Sequence, residues 1–415
     1  MSGSLKKHSQ MAQPLLKVAV IHWFPVEYYP PVTNCMNFFA AQSGINLHCY
    51  SSTDSRGREP YVHPDVKIVR FTSPSSSDGR LKRLAKYLWF PIAVFFHLMR
   101  LRPDCVLYYE PQSSVPALLY SAINWRCRIM IHHHEYHDPE QFFRPGMRLA
   151  RLYHWLEKCF LFRRAKWISH TNERRLELFH TDHPTIDSKK LKVLANYPPI
   201  HWQERSRVAK SKTKTQAESH HDSQQLKLVY VGSVSMHDTF IQPLVDWIVN
   251  RSDNRVTLDV YAYNADEKTK TFLKDVMTPF TEVATDSTHR DGEARPPIRY
   301  FQQGIDYNDL PEELARYDVG VILYRCNTTN YKYNASNKLF EYLACGLEVW
   351  YPPQMLGVKP YSQDDVFPRV MEVDYDRLND LDLNQMESRN HLPAAVPPPN
   401  CEQEFQKLAA AINKS

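Results

Sequence analysis

Glycine is scarce in this sequence, 11 among 415 residues. A site built on glycine-rich phosphate loops has little material here. Neither VAVIHWFPVE, from Val18, nor VYVGSVSMHD, from Val229, carries the G-x-G-x-x-G turn of dinucleotide oxidoreductases, so that class is not expected. The 8 cysteines form no C-x-x-C pair and several stand inside apolar runs. This points to reduced, mostly buried thiols and a cytoplasmic setting. The opening MSGSLKKHSQMAQP has no apolar core of a secretory signal, and residues 1–14 are expected to form a disordered tail. An excess of one charge is also lacking: 51 basic against 46 acidic residues leave a net charge of +5. That makes no case for a nucleic-acid partner and gives only a weak pull toward acidic ligands or anionic lipid.

What is present is an ordinary globular composition, 43% hydrophobic and 23% charged, in a chain long enough for two domains. From Lys17 onward, short apolar runs alternate with amphipathic segments. VAVIHWF, INLHCY, VKIVRF, CVLYYE, RIMIHHHEY, WISHT and LKVLANYPP read as buried strands of a parallel sheet, with helices between them as right-handed crossovers. The first doubly wound α/β domain is thus placed at 15–202. Gln203 to Gln225 is polar, basic and without periodicity, and reads as a linker or exposed loop. A second series follows over 226–375: KLVYVGSV, TLDVYAY, IRYFQQG, DVGVILY and LEVWYP as strands, with helices between. Two such domains in tandem leave a cleft, and the tail 376–415, with a last helix near Glu402 to Ile412, can cross back over it.

One crossover stands apart. RLKRLAKYLWFPIAVFFHLMRLR, Arg80 to Arg102, joins a basic start to an apolar, aromatic run too short for a membrane span. Two readings stand: a buried crossover helix with a solvated basic start, or a helix lying on an anionic leaflet.

Two stretches carry candidate chemistry. In YKYNASNKLFEYLACGLEVW, from Tyr331, Asn334 and Ser336 are N-cap residues, Gly346 is a stop, and Leu339, Phe340, Leu343 and Ala344 give an apolar face. Lys338 and Glu341 then share one side of a short helix near its N-terminus, where backbone N–H groups favour an anion. The alternative is a surface ion pair between them. In HHHEYHD, His132 and His134 fall on one strand face and His133 and Glu135 on the other, at the sheet edge where α/β domains place ligands. A zinc site from His132, His134 and His137 matches ligand type but has no cysteine or fourth ligand nearby, and histidines satisfied within the fold are the third reading.

The segments VYVGSV, DLPEELARYDVGVILY and NKLFEYLACGLEV resemble the donor-binding domain of GT-B fold glycosyltransferases, in particular the retaining sugar-nucleotide enzymes of family 4. The resemblance covers most of residues 225–352, and the first half more loosely through strand order and the HHHE stretch. It implies two tandem Rossmann-like doubly wound domains facing a cleft. The implied activity moves a sugar from a nucleoside-diphosphate sugar to a hydroxyl of a glycan, lipid-linked or small-molecule acceptor, with retention. The nucleotide sugar is then a co-substrate and no cofactor or metal is implied; the D-x-D triplets at Asp374 and Asp380 lie outside strand ends. By the same resemblance His134, Glu135, Lys338 and Glu341 are catalytic, and Gly232, Ser233, Gln303, Asn337, Lys338, Leu339 and Glu341 bind the donor. Tyr28, Thr33 and His133 are acceptor-side candidates. Tyr333 stands where many members carry a second acid, and Leu347 and Glu348 replace the usual small-residue and proline run. A silent paralogue that binds nucleotide sugar or a protein partner, and a nucleotide-sugar epimerase of the same architecture, are the rival readings.

Overall fold

The computed structural model describes residues 15–53, 58–75, 77–217, 225–284, 296–384 and 392–413; the expected N-terminal tail lies outside them. The first domain holds a parallel sheet of β1 (Leu16–His22), β2 (Ile45–Ser52), β3 (Val66–Phe71), β4 (Cys105–Tyr109), β5 (Arg128–His133), β6 (Trp167–His170) and β7 (Leu191–Val193). Their spatial order is β3-β2-β1-β4-β5-β6-β7. Helix α1 (Pro30–Ala40) lies on one face. On the other lie α2 (Arg80–Leu101), α3 (Ser114–Ile123) and a continuous helical run made of α4 (Arg148–Leu156), a π-turn (Glu157–Leu161) and α5 (Phe162–Arg164). α6 (Glu173–Asp182) follows β6.

A connecting helix, α7 (His201–Ala217), leads to the second sheet. Its strands are β8 (Leu226–Val231), β9 (Val256–Tyr261), β10 (Ile298–Phe301), β11 (Val319–Val321), β12 (Glu348–Tyr351) and β13 (Val370–Glu372), in the order β10-β9-β8-β11-β12-β13 and all parallel. Helices α8 (Ile241–Val249), α9 (Glu267–Ala284), α10 (Leu310–Leu314), α11 (Thr329–Lys332) and α12 (Asn337–Ala344) connect them, and α13 (Cys401–Asn413) closes the described chain. The expected doubly wound α/β architecture is therefore present twice. In each sheet the strand order reverses once, between β1 and β4 and between β8 and β11, and at such a point the helices diverge to opposite faces and open a crevice at the strand ends.

Of the stretch from Gln203 to Gln225 read as a linker or exposed loop, residues 203–217 form the body of helix α7, and 218–224 lie outside the described residues. The helix escaped detection because its contacting side is polar: beyond the buried Trp202, Ser206 Oγ donates to the Cys345 carbonyl (3.0 Å) and Lys210 Nζ to the Gly346 carbonyl (2.7 Å). These two residues satisfy carbonyls at the C-terminal end of α12. Phe405, Leu408 and Ile412 of α13 pack with Val32, Cys35 and Phe39 of α1 in the first domain's core, so the last helix lies on the first domain.

Tyr342 on the inner side of α12 is packed where only glycine leaves room. A Cβ at Gly320 in β11 would lie 2.2 Å from its ring atoms, and the Tyr342 hydroxyl is held by the Val231 N–H at 3.2 Å. Overpacking at such a point costs about 3 kcal/mol. Gly320→Ala is expected to lower the midpoint of thermal unfolding, read by circular dichroism, and an unchanged midpoint would show that α12 shifts freely.

Candidate functional site

The crevices of the two sheets meet in one cavity of about 790 Å³. Its second-domain wall begins where β8 ends. Gly232 adopts φ +130°, and a Cβ there would stand 2.8 Å from both Cε and Nζ of Lys338. The missing side chain is thus the space through which Lys338 reaches the cavity. Its ammonium donates to the Tyr324 hydroxyl (2.9 Å) and lies over the Tyr324 and Tyr230 rings. Burial opposes its charge, but Tyr324 and Glu341 hold its pKa above the ordinary lysine value, so Lys338 is a permanent cation. Ser336 occupies the N-cap position of α12 with no side-chain bond to the helix, and Ser336 and Asn337 both line the cavity. An anion here meets an ammonium and a helix N-terminus together.

The first-domain wall is built at the ends of β4 and β5. β5 stops at His133 because the next two N–H groups, of His134 and Glu135, turn to the Glu110 carboxylate (2.6 and 3.3 Å) instead of a neighbouring strand. Glu110 holds φ 64°, a strained left-handed conformation for a non-glycine residue. Burial and the nearby Glu135 charge push its pKa well above the carboxylate range. The His134 ring stacks on Tyr109 and Tyr29, and its buried Nε2 has no hydrogen-bond partner among the described residues. Burial, with His132 next, holds the His134 pKa well below its usual value, so the ring is a neutral imidazole. The Glu135 side chain is 58% exposed and lies 3.9 Å from His137.

Contacts bridge the domains at both ends of the cavity. Arg175, 2% exposed, donates to the His134 carbonyl (2.7 Å) and to the Asn330 carbonyl (2.8 Å) within α11, while Asn330 Oδ1 also accepts from the Tyr136 N–H (3.0 Å). At the other end the Arg58 guanidinium lies between the rings of Tyr28 and Tyr263, 5.0 and 4.9 Å from their centroids.

Seven of the sequence-derived residues line this cavity: Tyr28, His134, Glu135, Gly232, Ser233, Asn337 and Lys338. Five do not. Leu339 is fully buried in the second domain's core and its N–H is taken by the Ser336 carbonyl. Gln303 is exposed in the turn after β10, beside Gly304, where an added Cβ would stand 3.2 Å from Tyr263. Thr33 lines a separate cavity of about 500 Å³. His133 points to the opposite side of the sheet, toward Glu157 and His170. Glu341 lies one turn along α12 from Lys338, near Tyr307, and forms no ion pair with Lys338. Burial, only partly offset by Lys338, raises its pKa to about 7. The Tyr333 ring rests against Arg174 outside the cavity, and its carbonyl accepts from Asn172 (2.9 Å). Among the described residues no group of three His, Cys, Asp or Glu is placed to hold a metal ion.

Sequence reasoning missed Arg175, Asn330, Tyr324 and Glu110. Glu110 and Tyr324 had a signal, since each is a polar group at the C-terminal end of a buried strand that abuts a switch point. Arg175 had none; in ERRLELFHTD it is one basic residue of an amphipathic helix.

No protein-family model and no curated protein sequence matches the chain. Solved structures do. Anabaena HepE, crystallised with UDP and glucose, superposes with a TM-score of 0.63 at 14% identity over 96% of this chain and 100% of its own. Sucrose-phosphate synthase from Thermosynechococcus elongatus gives 0.61 at 12% identity, covering 96% of each chain. The UDP-GlcNAc 2-epimerase of Methanocaldococcus jannaschii gives 0.54 at 10% identity over 95% and 99%. Two Rossmann-like domains whose switch points face one cleft, joined by a helix that returns from the second to the first, give this chain the GT-B fold.

Proposed function

We propose that the protein is a glycosyltransferase that moves a sugar from a nucleoside-diphosphate sugar to an acceptor hydroxyl, with retention at the anomeric carbon. The observation that carries this reading is the placement of Lys338 and the α12 N-terminus across one cavity from the neutral His134. The diphosphate would sit against Lys338 and the helix N-terminus and the sugar would project toward His134 and Glu135. Glu341 lies outside the cavity as it stands, and the ribose hydroxyls would reach it once the wall beside Tyr307 moves. As the bond from the anomeric carbon to the phosphate oxygen breaks, negative charge grows on the diphosphate beside Lys338. The acceptor oxygen bonds to the anomeric carbon on the same face, and its proton passes to the departing phosphate. Lys338 accelerates this step by being in place before the charge develops. Beside the acceptor, the reaction as proposed uses the nucleotide sugar alone. Free and mostly buried cysteines support a reducing, cytoplasmic setting.

Likeness to an epimerase keeps a second reading in view, in which the same site releases and recaptures the nucleotide without an acceptor. Thermal unfolding against UDP-, GDP-, ADP- and TDP-sugars tests donor binding, since a ligand of the folded state raises the midpoint. No shift with any of them would remove the proposal, and a sugar epimerised with no acceptor present would favour the second reading.

The pH dependence follows from Glu341. A ribose hydroxyl bonds best to an ionised carboxylate, and burial places this carboxyl's titration at about 7. Donor affinity is therefore expected to hold above pH 7 and to weaken, by up to about tenfold per unit, as pH falls below it. Calorimetric titration across that range checks this, with Glu341→Gln flattening the profile; a flat wild-type profile would take Glu341 out of the donor site.

A further inference from the structure

On one side α2 is the buried crossover helix of the first reading. Phe90, Pro91, Ala93, Val94 and Leu98 are buried, and most join the first domain's core with Trp23 and Phe71. The helix is long and apolar enough to cross a membrane by length and composition, yet it is keyed into the sheet as the β3–β4 crossover and cannot leave without opening that core. Its outer side is nonetheless apolar. Leu81, Leu84, Leu88, Ile92 and Met99 form an exposed stripe, with Trp89 at 61% and Phe96 at 64% exposure beside it.

The stripe continues onto the neighbouring helices. α3 packs against α2 and against α4. Leu119, Ile123 and Trp125 at the end of α3, and Leu152, Trp155 and Phe160 along the α4 run, are all exposed. Most of the exposed large apolar side chains among the described residues lie on this one side of one domain. A water-facing surface of this extent is unusual in a free monomer.

Charge identifies what covers it. α2 and α3 contain no Asp or Glu, and the single one in the α4 run, Glu157, is fully buried. Arg80, Lys82, Arg100, Arg126, Arg148, Arg151, Lys158, Arg163 and Lys166 are exposed on the same helices and their ends. Several of them converge at the base of the sheet, where Arg126, Arg128, Arg163 and Lys166 line a hollow of about 540 Å³ together with Trp125 and Phe160. Cations that ring an aromatic, apolar surface match the two layers of an anionic bilayer: headgroup phosphates outside, acyl chains within. A second copy of this chain would bring the same cations face to face, which costs energy.

From this combination we infer that the α2–α3–α4 face is a bilayer-docking surface, on which the first domain lies flat with Trp89, Phe96, Trp125 and Trp155 at acyl depth and the Arg126–Arg163 hollow on lipid phosphates. Crossover helices run antiparallel to their strands, so all three start at the strand ends that open on the cleft. The bilayer then reaches the cleft rim, and a lipid-linked acceptor can present its hydroxyl there without leaving the membrane. The docking itself does not rest on the proposed reaction.

Flotation of the full chain with phosphatidylcholine vesicles, with and without phosphatidylglycerol, tests it. The protein is expected to float with phosphatidylglycerol vesicles and to be released by salt. Trp89→Ser with Phe96→Ser, and separately Arg126→Glu with Arg163→Glu, are expected to reduce binding at least tenfold while the circular dichroism melt stays unchanged. Failure of the wild-type chain to bind anionic vesicles would overturn the inference. So would a lipid-free dimer, seen by light scattering, that dissociates on the Trp89 and Phe96 substitutions, because the face would then be covered by a second copy.

Discussion

Lys338→Ala is expected to slow consumption of the nucleotide sugar by roughly 10²–10³-fold and to leave the unfolding midpoint nearly unchanged. The side chain contributes little to packing, since its ammonium faces the cavity and its hydrogen bond is to Tyr324 at 2.9 Å. Its contribution instead grows as charge develops on the diphosphate. Gly232→Ala is expected to produce a similar loss by a different route: the new methyl would lie 2.8 Å from Nζ, at φ +130° where a side chain is strained, and would displace the ammonium. Because both substitutions remove the same interaction, the double variant should be little worse than either alone. Steady-state rates for the four proteins check this. Additive losses, or an undiminished rate in Lys338→Ala, would mean that another group carries the phosphate.

Glu157→Leu is expected to destabilise the first domain by about 3 kcal/mol. Glu157 sits in the π-turn of the α4 run, fully buried. Its Oε1 accepts from the Tyr108 hydroxyl at 2.9 Å and lies 3.3 Å from His133 Nε2, and Oε2 is 3.5 Å from His154. Burial alone would raise its pKa, but His133 and then His154 bring it down to about 2. A carboxylate with a depressed folded-state pKa stabilises the protein above its unfolded value, here 4.5, and that stabilisation is lost as pH falls toward 2. The leucine variant should therefore lose about 6 to 12 °C of unfolding midpoint near neutral pH, and it should show a flatter decline than wild type between those two values. Equal midpoints at neutral pH would show that the histidine cluster does not depend on this carboxylate.

The architecture was legible because buried parallel strands leave an unmistakable trace. VAVIHWF, CVLYYE and KLVYVGSV have no alternation to confuse them with surface strands, and the spacing between them fits one crossover helix each. Lys338 and Gly232 were legible for a related reason, each sitting at a strand or helix end whose position the pattern fixes. What did not show is what depends on contacts distant in sequence. α7 packs through Ser206 and Lys210 on carbonyls 136 to 139 residues away, so its helix carries no apolar period. Arg175 owes its place to His134 and Asn330. His133 follows the strand alternation to the face of Glu157 and His170, whereas Glu135, of the same parity, reaches the cavity because β5 has ended at His133. Leu339, a donor-binding residue by the resemblance, is buried in the core as the apolar periodicity of its helix requires.

The two chain crossings between the domains run side by side. The Ile200 N–H donates to Glu402, Gln203 to the Pro398 carbonyl (3.2 Å), and the Cys401 N–H to the Pro198 carbonyl (3.1 Å). A body attached to another along one line, like a door on its hinge pins, keeps a single easy motion, a swing about that line. Twisting or sliding the domains would tear these bonds, whereas a swing would release the contacts across the gap, among them Arg175 and Tyr136 on Asn330, Asn172 on Tyr333, Asn34 on Tyr307 and Arg58 on Tyr263. Arg175 stays on the His134 carbonyl through such a swing, since both belong to the first domain, and what it would release is Asn330, so the α11 side of the cavity is tied to the His134 wall only when the door is shut.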